Sequence, residues 1–567
     1  MITAAWYVGI RALCADQRGA GVVSVSVRPG LTQRSAAGIA RGAAIIAGLT
    51  MLSRLLGLGR TLVFSQTVGA GCLGSAYVTA NQVPNLVYDL VLGGALTSAM
   101  IPVLARSAER SDSDPAEKAR VTQITSVLLT WSVIILVPVS VAIAAAAGPI
   151  ASLLTPANAN VQCVHADVVA TTTVMLEVFS PQVVLFGLSV VLYGLLQAYR
   201  RFTGPALAPV VSSLVLIASY LAFVPLSDGL PLARLPMSAQ LVLAVGTTLG
   251  VAALVVVALV PALRLRLPVR PALRFPPGVA RRVGGLALVG VIEFAANDLE
   301  TVAEVALANG RGATGSLVIY NYAWLVFSSV HAVLALSIAI SAFPVLSARD
   351  GAVFDRTCAG STRAVLLVSW LGTAVIAAIA VPAAHVLAHQ PDQVSELIWG
   401  FALFAPGLAG MGVIANLSRV MFVLGRLKVA TAALAGSWLV VIVADVVLAL
   451  LAPPHLVVGA LALGFTIGQT VVAIPLVAAT RRIRGKAAVQ GIGHAALAGL
   501  AAGVVGAAVG VAVSLTLPVT HKVVAGGVAV LAAGCAVIAF GVVAYLLDDG
   551  DLQPILARVR RVVRPRS

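Results

Sequence analysis

Apolar residues in this chain gather into long runs, and charged residues are largely confined to the short segments between them. Fourteen runs stand out, over about 39–66, 73–103, 119–148, 165–198, 205–226, 237–263, 283–308, 316–346, 360–387, 394–424, 428–451, 456–479, 489–517 and 522–547. Each holds about 20 or more mainly apolar residues, enough for a helix to cross a hydrocarbon core of about 30 Å. Strands of a membrane barrel would be about 10 residues long and would alternate apolar with polar positions. The pattern therefore predicts an all-α polytopic membrane protein of about 14 transmembrane helices.

Charge then orients the spans. Of 37 Lys and Arg residues, 31 fall in the N-terminal segment, the even-numbered loops or the C-terminal tail, and the odd-numbered loops hold three: Arg234, Arg311 and Lys522. The positive-inside rule predicts cytoplasmic N and C termini in a plasma (inner) membrane protein. A slip of one span would scramble this asymmetry, so it also supports the count. The net charge of +16 is thereby accounted for by topology and contact with membrane lipids, and nucleic acid is not expected as a partner. A hydrophobic fraction of 60% and a mean hydropathy of +1.02 exclude an ordinary soluble domain.

Two internal echoes predict a duplication with a period of six helices. "AMIPVLARS" (Ala99 to Ser107) matches "AFPVLSARD" (Ala342 to Asp350), and "LLQAYRRFTGPALAP" matches "MFVLGRLKVATAAL", aligning Arg200 with Arg426. An even period gives parallel repeats about an axis along the membrane normal. The expected organisation is an N-terminal cytoplasmic extension without order (1–36), an N-lobe of spans 1–6 (37–264) and a basic linker (265–282). A C-lobe of spans 7–12 (283–480), spans 13–14 (481–547) and a basic cytoplasmic tail (548–567) complete it.

Ionisable residues inside spans mark candidate chemistry, since a guanidinium at mid-membrane costs roughly 2.5 to 3.5 kcal/mol on insertion scales. Arg54 and Arg60, in "SRLLGLGR", need a hydrated cavity or an anion. Six residues place them about 240° apart on a helix, and Gly57 and Gly59 between them allow a bend or a close approach. A second group, Glu293, Asp298, Glu300 and Glu304, lies in span 7, with Asp298 about 160° from Glu300. Such carboxylates are expected to protonate, bind a cation or face water. The five cysteines are scattered and predict neither disulfide nor metal. His385 and His389, four apart, lack a third ligand, and Arg419 reads as a snorkelling or helix-capping residue. No phosphate-binding loop or nucleophile motif occurs, and the outer loops are too short for a catalytic domain, so no enzyme is expected.

"SRLLGLGRTLVFSQTVGAG" followed by "NQVPNLVYDLVLGGALTSAMIPVLARS" resembles the opening of the MurJ (MviN) family, lipid II flippases of the multidrug/oligosaccharidyl-lipid/polysaccharide exporter superfamily. The resemblance implies two six-helix lobes around a cationic cavity. In it Arg54 and Arg60 would hold a polyprenyl-diphosphate lipid, with Ser53, Asn85 and Asp89 beside them. It departs from the family at Tyr88 and Asp89, where two arginines are usual, and at Leu325 in "YNYAWLVF", where span 8 commonly has another. Asp89 would then act as counter-ion to Arg54 or Arg60. Some members carry a sodium site on spans 7, 11 and 12, which implies Glu300 with Asp298, Asp445, and Thr466 or Thr470 as a sodium or proton coupling site. No other cofactor is implied, and cell-wall synthesis or division proteins are implied partners. The alternatives are export of another polyprenyl-linked glycan or a drug-type substrate, or a non-transporting cell-wall scaffold.

Overall fold

The computed structural model describes residues 31–90, 114–274, 279–518 and 521–547, together with Leu104, Ala108 and Arg110. The first echo at Pro102, residues 1–30 and the tail from 548 lie outside the described residues. All described regular structure is helical. Ten helices or helix pairs are long and apolar enough to cross a membrane, and a bent pair makes an eleventh. The protein is thus a multi-pass membrane protein.

The chain forms two compact units that divide between Gly310 and Arg311. The first holds α1 (Leu31–Thr67), α2 (Cys72–Leu90), α3 (Pro115–Ala145), α4 (Ala147–Leu154), α5 (His165–Phe179), α6 (Gln182–Ala198), α7 (Thr203–Ser227), α8 (Met237–Leu263) and nearly all of α9 (Val279–Arg311). The second holds α10 (Ser316–Val333), α11 (Ala335–Ala348), α12 (Gly351–Leu387), α13 (Pro391–Phe404), α14 (Gly407–Val423), α15 (Leu427–Leu451), α16 (Val457–Arg484), α17 (Ile492–Thr516) and α18 (Lys522–Leu547). Helix α1 spans Leu31–Thr67, and Leu31 to Ala40 contains no Pro and one Gly isolated among helix formers. Nearly all of α9 packs with the first unit.

The units share a local construction. In the first, α5 and α6 break at Ser180 and Pro181; in the second, α13 and α14 break at Ala405 and Pro406 and bend by 42°. Proline cannot donate to the preceding turn, so each break leaves carbonyls over. Hydroxyls from neighbouring helices satisfy them in the same way. Ser140 of α3 donates to Ser180 O at 2.8 Å and Thr248 of α8 to Val178 O at 2.9 Å. In the second unit Thr373 of α12 donates to Ala405 O at 2.8 Å and Thr466 of α16 to Leu403 O at 2.6 Å. The turns that follow also match. Arg200 and Gly425 take left-handed φ of 57° and 69°, and the next amides, Arg201 and Arg426, reach back to Leu196 O and Met421 O at 2.8 and 2.9 Å. The two turns correspond one residue out of register from the sequence echo: Arg201, not Arg200, stands where Arg426 does.

The cores are built from Leu, Val, Ile, Ala and phenylalanine side chains. Phe327, Phe404 and Phe465 are fully buried and meet edge-on or tilted at 5.1–5.4 Å between centroids. Gly410 faces the backbone of Gln469 and Thr470, where a Cβ would sit 2.6–2.7 Å from main-chain atoms. This closeness is what small residues permit between membrane helices.

Candidate functional site

Helix α1 carries Arg54 and Arg60 on different faces. One turn beyond Arg60, Phe64 is buried against Tyr77 of α2 and Tyr220 of α7, both at 5.3 Å between centroids. The Tyr77 hydroxyl meets Tyr220 Oη at 3.0 Å and Thr247 Oγ1 at 2.7 Å. Arg60 shares the face of Phe64, is half-buried and lies within electrostatic reach of Tyr77. Ser53, two turns earlier, continues this stripe and is half-buried. Arg54 lies about 120° away, exposed alongside Leu55 and Leu58. The helix runs unbroken through Gly57 and Gly59, and a Cβ at either would meet nothing within 4 Å, so neither glycine serves a close approach. Among the described residues, neither guanidinium is paired with a carboxylate.

The α2 residues expected beside them behave differently. Asn85 donates its amide to Asn81 O in its own helix at 2.8 Å. Tyr88 packs on Phe186 of α6 at 4.5 Å, so this departure from the family pattern serves packing. Asp89 is not the counter-ion of either arginine, and depth is the reason. Arg60 lies near Tyr77, and Arg54 is six residues, about 9 Å, further toward the N-terminal end of α1. Asp89 is twelve residues, about 18 Å, from Tyr77 along the antiparallel α2.

Helix α9 buries Asp298, Glu300 and Glu304, which are 7%, 4% and 6% exposed. Its C-terminal end is tied to the rest of the first unit by Asn309, whose Nδ2 donates to Thr79 Oγ1 and Leu154 O, both at 2.9 Å. Asn158 donates in turn to Asn309 O at 2.9 Å. In the second unit Asp445 is wholly buried on α15 against Gly464, where a Cβ would fall 1.9 Å from its Oδ1. Thr466 is committed to the carbonyls of Leu403 and Phe404, and Thr470 is exposed. Thr466 does in that unit what Thr248 does in the first. His385 bonds Val381 O at 2.9 Å and Arg419 bonds Ala415 O within its own helix. Among the described residues no group of three His, Cys, Asp or Glu could hold a metal.

The expectation about cysteine is corrected. Cys72, at the start of α2, and Cys163, just before α5, form a disulfide across 91 residues with a Cα–Cα distance of 5.8 Å. Both lie in odd-numbered loops, the side that the charge asymmetry assigns to the oxidising exterior. That coincidence was the available signal.

The family model described as "Lipid II flippase MurJ" matches residues 64–534. The chain belongs to the MurJ family. Curated MurJ relatives match more locally: a lipid II flippase MurJ from Burkholderia cenocepacia is 30% identical over 174 residues, 31% of this chain and 32% of that protein. A probable lipid II flippase MurJ from Synechocystis is 27% identical over 220 residues, 38% of each chain. These alignments span about a third of the length of the curated relatives. Among solved structures, a MurJ in an inward closed conformation superposes with a TM-score of 0.67 at 15% identity, over 90% of this chain and 100% of that one. An inward-facing multidrug resistance transporter of the MATE family gives a TM-score of 0.60 at 14% identity, over 78% and 98%. At such identities both likenesses speak to the fold. MurJ and MATE neighbours make this a transporter fold, and the family acts as transporter rather than catalyst.

Proposed function

We propose that this protein is a lipid II flippase, moving an undecaprenyl-diphosphate-linked peptidoglycan precursor from the cytoplasmic to the outer leaflet by alternating access. The match to the MurJ family over residues 64–534 carries the reading. The chemistry of α1 supports it. Two guanidiniums in an apolar helix without protein carboxylates to neutralise them suit an anionic diphosphate, which a guanidinium fork binds bidentately. Arg60 and Ser53 present to the packed side and Arg54 to the exposed side, so the two arginines would contact the headgroup from different directions or at different stages.

The finer architecture belongs to this proposal. Adding α1, α2 and α9 to the eleven apolar spans gives fourteen; these three escape a hydropathy criterion because they hold the ionisable groups or run beyond the described residues. The matched breaks and turns support two six-helix repeats about a membrane-normal axis, followed by α17 and α18. The basic-residue asymmetry and the disulfide jointly support cytoplasmic termini in the plasma membrane. Coupling to sodium or protons through buried carboxylates, and association with cell-wall synthesis or division proteins, are parts of the same proposal.

The test is replacement in a flippase-depleted cell with leaflet-resolved measurement of lipid II. The native chain should restore lipid II to the outer leaflet, and Arg60→Ala and Arg54→Ala should insert normally yet leave it in the inner leaflet. Full rescue by both variants would remove the anion-binding role, and failure of the native chain to move lipid II would overturn the assignment.

A further inference from the structure

In "YNYAWLVF" the uncharged Leu325 stands beside Trp324. Asn321, Trp324, Leu325 and Ser328 recur at i, i+3, i+4 and i+7, so they share one face of α10. All four are half-buried, while Tyr320, Tyr322, Ala323 and Phe327 on its other faces are buried. The stripe is aromatic and polar but carries no formal charge. It belongs to the second unit, and Trp324 lies eight residues, about 12 Å, into the helix.

A wall of rings backs Trp324. Its indole stacks on Phe327 at 5.5 Å between centroids and 25° between planes, and it meets Phe404 at 5.9 Å and Phe465 edge-on at 5.2 Å. Those three phenylalanines are fully buried. Two of them adjoin the break that Thr466 clasps, since Phe404 ends α13 and Phe465 precedes Thr466 on α16. Rings from three helices thus hold the indole in one orientation.

Packing occupies one side of the indole and leaves the other. Among the described residues its N–H donates to no protein acceptor. One turn before it, Asn321 donates to Leu317 O at 2.8 Å, which leaves a second N–H and Oδ1; one turn after it, Ser328 donates to Leu325 O at 3.2 Å, which leaves oxygen lone pairs. Polar atoms without partners are costly in hydrocarbon, so this face suits water or a polar ligand. An uncharged stripe calls for an uncharged ligand. A pyranose ring meets both demands: its C–H face lies flat on the electron-rich face of an indole, and its hydroxyl and acetamido groups reach the polar atoms at the rim.

We propose that Trp324, with Asn321 and Ser328, forms a saccharide-binding platform that holds an amino-sugar ring of the transported headgroup. This rests on the flippase reading and deepens it: the arginines of α1 answer to the diphosphate, and the α10 stripe answers to the sugars.

The test measures equilibrium binding of two radiolabelled lipids to the purified full-length protein in detergent. One is lipid II; the other is undecaprenyl diphosphate, which has the same tail and diphosphate but no sugar. The native chain, Trp324→Ala, Trp324→Phe and Arg60→Ala are compared, with thermal unfolding as the check on folding. Trp324→Ala should bind lipid II roughly three- to tenfold more weakly, the size of a lost aromatic stacking contact, and undecaprenyl diphosphate as the native chain does. Trp324→Phe keeps a ring against the phenylalanine wall and should show a smaller loss confined to lipid II. Arg60→Ala should weaken both lipids. Equal loss of both lipids, or of neither, in Trp324→Ala or, where that variant does not fold, in Trp324→Phe overturns the platform, while the effect of Arg60→Ala leaves the flippase reading standing. A native chain that binds neither lipid overturns both.

Discussion

Thr466 separates two roles that its position alone allows, coordinating an ion or sealing the α13–α14 break. Its Oγ1 donates to Leu403 O at 2.6 Å and approaches Phe404 O at 3.4 Å, and it packs closely enough that a Cβ on Gly407 would lie 2.8 Å from it. Thr466→Val keeps the shape of the side chain and removes the donor. A buried carbonyl left without its partner costs about 1–3 kcal/mol, more than the roughly 1 kcal/mol net contribution of an ordinary hydrogen bond. Such a loss would shift a domain of 150–250 residues by roughly 2–4 °C per kcal/mol, and a chain of 567 residues by less. The assay is thermal unfolding of the detergent-purified protein, in sodium buffer and in choline buffer of equal ionic strength. The destabilisation should be the same in both, and Thr248→Val, its counterpart in the first unit, should show a loss of similar size. An unchanged midpoint, or a loss seen only with sodium, would refute the assignment of Thr466 to the break.

Two further outcomes are expected. A membrane-impermeant maleimide applied outside intact cells should not label Cys72 or Cys163 in the native chain but should label Cys163 once Cys72 is replaced by Ser; labelling only after permeabilisation would invert the topology. Asp350 caps α12 by accepting from Gly351 N–H at 2.8 Å and lies 3.3 Å from Arg484, which together hold its carboxyl below the usual range. A depressed folded value means the stabilisation is complete above the ordinary Asp value near 3.9 and is lost as pH falls through the folded value. Asp350→Asn should therefore unfold earlier than the native chain at neutral pH and converge with it in strongly acidic buffer.

The membrane class and the positions of ten or eleven apolar spans were legible because they rest on length and apolarity, which bilayer thickness enforces regardless of neighbours. Arg54 and Arg60 were legible for the converse reason, as polar groups are costly in that setting. What the chain concealed is long-range pairing. Cys72 and Cys163 meet only through the way their helices pack, and a count of residue types carries no such information. The hydroxyls of Ser140, Thr248, Thr373 and Thr466 were equally silent: Ser and Thr are common in membrane helices, and their partners are backbone carbonyls exposed only once Pro181 and Pro406 break the helices. Thr466 drew attention as an oxygen ligand for the same reason that it can accompany a broken helix, since both tasks require a hydroxyl at depth.

The paired breaks also bear on mechanics. A proline break in a membrane helix is usually suspected of being a joint, but a joint must be able to change its angle without stranding polar groups in hydrocarbon. Here each bend is clasped from both sides, by Ser140 and Thr248 at Ser180 and Val178, and by Thr373 and Thr466 at Ala405 and Leu403. Ser180 O and Ala405 O keep a backbone donor of their own, Val183 N and Leu408 N, so changing the angle at either break would first strand Val178 O or Leu403 O, the carbonyls held by Thr248 and Thr466.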